Sequence, residues 1–154
     1  MKLLMDKAAR LGLQDLSGQG PTQPGLGASV DWQALPDVLL RDVIERLVKE
    51  QGNAVVFSVD DANNCCPGIS TTIRVMISSL RNSFSSMSRI PKESDFADAV
   101  HTMYAPYVTI FRTDRYMAPI VSKQVSAYGT HVVRRLLDLP DAIEEALARA
   151  PRRR

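Results

Sequence analysis

The chain has 154 residues, 45% of them hydrophobic and 23% charged, with a net charge of +2 at pH 7; this balance excludes a disordered tail and suffices for one domain with a real core. So small a net charge gives no argument for nucleic acid by itself, and Arg152, Arg153 and Arg154, after Pro151, place three of the positive charges in a solvated terminal run. The only cysteines, Cys65 and Cys66, are adjacent, which suits neither a disulfide between them nor a zinc site without a second Cys or His pair nearby.

Two free thiols fit a reducing compartment. Neither a signal-peptide core nor a run approaching the roughly 18 apolar residues of a membrane span is present, so the expectation is a soluble, cytoplasmic protein with no membrane partner. In chain order, Leu4, Ala8 and Leu11 recur at helical spacing before Gly12, and "SGQGPTQPGLGAS", Ser17 to Ser29, is too rich in Gly and Pro for regular structure. Residues 1–29 therefore read as an arm and linker, and 30–150 as the domain.

After "DWQALP" a helix is expected up to Gly52, with Leu35, Leu39, Val43 and Leu47 on one face and Leu40, Ile44 and Val48 beside it. Asp37, Arg41, Glu45 and Lys49 form a ladder of alternating sign on the other side, the pattern of a solvated face. "AVVFSV", Ala54 to Val59, predicts a strand ended by the turn formers of "DDANNCCPG". Ile69, Ile73, Met76, Ile77, Leu80 and Phe84 predict an amphipathic helix that breaks up in "SFSSMSRIP".

The last third alternates most regularly: helix over Pro91 to Tyr104, strand over Tyr107 to Phe111, helix over Met117 to Ala127 closed by Gly129, strand over Thr130 to Val133, and helix over Pro140 to Ala148. That alternation implies crossover units and a parallel sheet, hence an α/β fold.

Chemistry concentrates in "SDFADAVHTMYAPYVTIFRTD", Ser94 to Asp114. On a helical wheel Phe96, Ala99, Val100 and Met103 form the apolar face, with Asp95, Asp98 and Thr102 on the opposite edge and His101 beside Asp98. Ser94 suits the N-cap, so Asp95 and Asp98 fall in the first turn, where the helix end favours carboxylates whatever the function. Asp114 follows a strand, and a crossover brings the N-terminus of the helix to the same sheet edge as the strand's carboxyl end, the edge where open parallel sheets bind ligands. Carboxylates meeting there suit a hard cation such as Mg2+ or Mn2+.

The stretch "SDFADAVHTMYAPYVTIFRTDRYMA" resembles the C-terminal part of PIN-like domains, in particular a bacterial branch reading Ser-Asp, a second Asp three residues on, His three further, Tyr-x-Pro-Tyr, a strand and Thr-Asp-Arg. "CPGISTTIRVMISSLRNS", "GTHVV" and "LPDAIEEAL" resemble the flanking elements, so the match covers residues 67–147, about half the chain. The resemblance implies a three-layer PIN-like fold with a parallel sheet and a metal-dependent ribonuclease acting on RNA phosphodiesters. It implies Asp95 and Asp114 as ligands of Mg2+ or Mn2+, Asp98 as a catalytic residue orienting water or metal, and a protein partner or inhibitor.

PIN-like domains normally open with a strand ending in an aspartate and carry another acid on an early helix. Here "KLLMD" offers Asp6, but "KAARLG" follows where a turn belongs, and Glu45 and Glu50 fit the solvated ladder equally well. The expectation is a fold incomplete at its N-terminus, with a non-catalytic α/β interaction module as the alternative to a nuclease. Arg74, Arg81, Arg89, Arg112 and Arg115 are available for phosphate contacts but read as ordinary surface arginines.

Overall fold

Apolar periodicity places the helices, and packing decides how each is turned. A computed structural model describes residues 31–52, 57–86 and 92–149. The chain divides between Asp31 and Trp32, and every element below belongs to the second unit. The expectations for residues 1–30, including Asp6 and the Gly/Pro-rich linker, and those for Arg89 and the terminal arginines lie outside the described residues.

Helix α1 spans Leu35–Glu50, with Pro36 in the first turn, where a missing N–H costs nothing. Its buried stripe is Leu39, Leu40 and Ile44; Leu47, expected on the apolar face, is exposed. The charged ladder is solvated only in part, because Asp37 turns to Arg74 of another helix at 2.6 Å. That pair ties two elements 37 residues apart.

The segment expected to be a strand over Ala54 to Val59 has no strand in its described part: Phe57 and Ser58 lie in no regular element, and Val59 opens helix α2, Val59–Cys65. The predicted turn is thus helical. Its cause is a capping box in "SVDD": Asp61 N–H donates to Ser58 Oγ and Ser58 N–H donates to Asp61 Oδ2, each at 3.0 Å.

Helix α3, Pro67–Ser86, is the axis of the fold. One side contributes Ile73 and Ile77 to a cluster with Leu39, Leu40 and Ile44 of α1 and Ala62 of α2. The other places Val75 in a second cluster with Ala99, Ala105, Met117, Ile120, Val121 and Val125. A helix flanked on two sides needs small residues between its large ones, and Gly68, Ser70, Thr71, Ser79 and Ser83 are all buried. Three of the hydroxyls have identified partners: Ser83 donates to the Ser79 carbonyl at 3.1 Å, Ser70 to the side chain of Asn63, and Ser79 Oγ shares a 3.3 Å hydrogen bond with the Tyr116 hydroxyl.

Thr72 differs. Its hydroxyl is buried with no hydrogen-bond partner in the structure. Thr72→Val keeps the branched shape and removes the unpaired polar atom, so it should stabilise the fold by about 1 kcal/mol and raise Tm by roughly 2–4 °C. An unchanged or lower Tm in calorimetry would mean that the hydroxyl is satisfied.

Helix α4 spans Glu93–His101 and continues as a 3-10 turn over Thr102–Tyr107, so the strand expected from Tyr107 starts later, at Ile110. Strand β1, Ile110–Arg112, pairs in parallel with β2, His131–Val133, with Ile110 opposite His131 and Arg112 opposite Val133. Between them run α5, Met117–Val125, and a second 3-10 turn, Ser126–Tyr128, closed by Gly129 at φ 74°. That left-handed value is one glycine adopts without a Cβ penalty. A short 3-10 turn, Leu136–Asp138, leads into α6, Leu139–Arg149, which packs on both strands. The architecture is α/β, mostly helical, with a parallel sheet of two strands among the described residues. No helix among them is long and apolar enough to cross a membrane.

Candidate functional site

Helix α4 is rotated relative to the expected wheel. Phe96 and Met103, assigned to the apolar face, are 45% and 37% exposed, Val100 is half-buried, and the buried line runs through Asp95, Ala99, Thr102 and Ala105. Compact side chains at those positions let the α4 backbone approach α3 closely, and each polar member is satisfied locally. Thr102 Oγ1 donates to the Ala99 carbonyl at 2.6 Å. Asp95 Oδ2 accepts the Lys92 N–H at 3.0 Å.

Lys92, rather than Ser94, is therefore the N-cap residue, and Asp95 stands at the third helical position with its carboxylate folded back over the helix start. Burial of this aspartate, 7% exposed, is tolerable because the carboxylate is bonded. Asp98 is half-buried on the same helix, and His101 is exposed at its end.

Asp114 lies two residues past β1 and is exposed. Its Oδ1 accepts the Met117 N–H at 2.6 Å, while its carbonyl accepts the Ala118 N–H at 3.0 Å. This is N-cap geometry, holding the start of α5 in register with the strand end. The cap was readable in "DRYM", where an aspartate precedes an apolar helix.

Neither acid presents an empty pair of carboxylate oxygens. Among the described residues no three His, Cys, Asp or Glu side chains come together in a way that would hold a metal ion, so Asp95, Asp98 and Asp114 do not form a triad there. Glu45 and Glu50 are exposed on α1, on the solvated side of that helix.

No protein family, curated protein or solved structure matches this chain. What the sheet edge offers instead is positive charge. The paired ends of β1 and β2 are extended by one further bond, from Thr113 N–H to the Val133 carbonyl at 3.1 Å, so residues 113–115 and 134–135 leave the sheet side by side. Arg115, Arg134, Arg135 and Asp138 line a recess of about 350 Å³ there. Arg115 was readable as a candidate, whereas Arg134 and Arg135 were overlooked; the signal was two arginines directly after a strand.

Arg135 grips Asp138 with Nε and Nη2, at 2.9 Å to Oδ2 and 2.6 Å to Oδ1. This hydrogen bonding, reinforced by the nearby Arg134 charge, holds the Asp138 carboxyl below its ordinary range. Because the folded-state value is depressed, the pair's contribution is present above the ordinary aspartate value and is lost as pH falls through the lowered one. Arg115 and Arg134 have no ion-pair partner among the described residues.

Proposed function

We propose that this chain is a non-catalytic α/β interaction module on a PIN-like scaffold, which engages its partner at the carboxyl edge of the two-stranded sheet. The observation that carries this reading is that each of the two expected metal ligands accepts a backbone N–H at the start of a helix. Asp95 accepts the Lys92 N–H, Asp114 accepts the Met117 N–H, and no third donor joins them among the described residues. Carboxylates so placed stabilise helix ends, by about 1 kcal/mol for a cap-type bond such as that of Asp114.

The second reading, a metal-dependent ribonuclease or its C-terminal fragment, keeps one observation in its favour: Asp114 is exposed at the edge where parallel sheets bind ligands. In that reading Mg2+ or Mn2+ sits on Asp95 and Asp114, with Asp98 as the further catalytic residue and RNA as substrate.

Thermal melts of Asp114 variants separate the two. For a cap, Asp114→Ala lowers stability by about 1 kcal/mol, Asp114→Asn by much less because Asn also caps well, and millimolar Mn2+ or Mg2+ leaves every Tm unchanged. A metal ligand behaves oppositely. The ion raises the wild-type Tm by mass action, and Asp114→Asn relieves carboxylate repulsion, stabilises the metal-free protein and abolishes both the metal shift and cleavage of single-stranded RNA. Metal-dependent cleavage that disappears in Asp114→Asn would end the interaction-module reading.

A further inference from the structure

We infer that the recess at the carboxyl ends of β1 and β2 binds the terminal phosphate of a small phosphomonoester through Arg115, Arg134 and Arg135. The inference rests on the reading of this edge as a binding surface and names the chemistry of the ligand.

Parallel pairing of Arg112 with Val133 sets the two strand ends next to each other, so Arg115 from one exit and Arg134 and Arg135 from the other meet around one recess. Among the described residues, the three guanidinium groups and the Asp138 carboxylate of the lining sum to a formal charge of +2. An isolated carboxylate ligand would balance half of that, whereas a phosphomonoester carries about −1.5 to −2 near pH 7. Asp138 does not oppose an anion freely, because Nε and Nη2 of Arg135 hold both its oxygens. The same grip fixes the plane of the Arg135 guanidinium and leaves Nη1 uncommitted by those bonds. Arg115 and Arg134 complete the cradle, and planar N–H forks suit phosphate oxygens.

Size and surroundings favour a small ligand over a polynucleotide. A volume of about 350 Å³ lies at the lower end of small-molecule sites, about 300–1,000 Å³. The helix that leaves the recess, α6, exposes Asp141, Glu144 and Glu145, so an extended polyanion gains little beyond the cradle itself.

Calorimetric titration of the full chain at low salt tests this with inorganic phosphate, a nucleoside 5′-monophosphate, the corresponding nucleoside, and a short RNA carrying only diester phosphates. Phosphate and the monophosphate should bind and the nucleoside should not. Arg115→Gln and Arg134→Gln should each weaken binding tenfold or more without moving Tm, since both side chains are exposed, and Arg149→Gln, at the far end of α6, should leave it unchanged. Failure of phosphate and the monophosphate to bind, or binding indifferent to Arg115 and Arg134, would overturn the inference. Diester RNA binding as tightly as the monophosphate through the same arginines would assign the edge to a nucleic-acid backbone and overturn the small-ligand proposal. Loss of phosphate binding without RNA cleavage would remove this site alone, whereas metal-dependent cleavage would remove the interaction-module reading and leave the phosphate result standing.

Discussion

Leu40→Ala is expected to destabilise the protein by about 3 kcal/mol and to lower Tm by roughly 6–12 °C. Leu40 is 1% exposed and sits in the cluster formed by α1, α2 and α3, among Ile44, Ala62, Ile73 and Ile77. Truncation removes the transfer free energy of its side chain and leaves a cavity between the helices. The informative question is whether this cluster melts alone. Because α3 supplies Ile73 and Ile77 to one cluster and Val75 to the other, losing packing on one face should shift a single transition. Trp32, the only tryptophan, packs at a tilt on Phe84 with ring centroids 5.7 Å apart and lies against the first cluster, on which it reports. Its fluorescence and the far-ultraviolet circular dichroism should move together in Leu40→Ala. An early fluorescence change with helicity retained would show that the clusters are independent.

Gly68→Ala should cost about 2–3 kcal/mol, which is large for adding one methyl group. A Cβ at Gly68 would lie 2.5 Å from the Met103 carbonyl oxygen, 3.0 Å from Met103 Cγ and 3.1 Å from Tyr107 Cε2. The first of these is backbone and cannot swing aside. Relief therefore requires the 3-10 turn Thr102–Tyr107 to lift from α3, weakening the bond from Gly68 N–H to the Tyr107 hydroxyl at 3.2 Å. It would also disturb the line of Ala99, Thr102 and Ala105 that packs beneath. A Tm within 1 °C of wild type would show that this crossing is looser than the structure gives. Since α4 carries Asp95 and the turn leads into β1, the same variant should also loosen the strand ends, seen as faster amide exchange at Thr113 and Val133.

Which segments are helical was legible along most of the described chain. Leu39, Leu40 and Ile44 recur as a helix demands, Gly129 marks the end of the α5 region, and the short apolar runs at Ile110 and His131 alternate with helices as a parallel sheet requires. These signals are local: they follow from the 3.6-residue period, from φ preferences and from caps, and they need no knowledge of what lies across the fold. The helix over Val59–Cys65 also had a local signal, the Ser58 to Asp61 capping box, which was outweighed by the apolar run before it.

How α4 is turned was not legible, and the meaning of the acids depended on it. A helical wheel ranks faces by hydrophobicity and therefore puts Phe96 and Met103 inside; it takes no account of the space available. Where the 3-10 turn that continues α4 meets α3, Gly68 faces the Met103 carbonyl, and along this line the buried positions hold small side chains while Phe96 and Met103 are exposed. Asp95 goes inward with Ala99 because the Lys92 N–H satisfies its carboxylate, and Asp114 serves the Met117 N–H at the start of α5. The arginines of the sheet edge were visible as letters but not as a group. Arg115 and Arg134 are 19 positions apart in the chain, and only the parallel register of β1 and β2 makes them neighbours, because strand pairing converts sequence separation into a fixed spacing of a few ångströms.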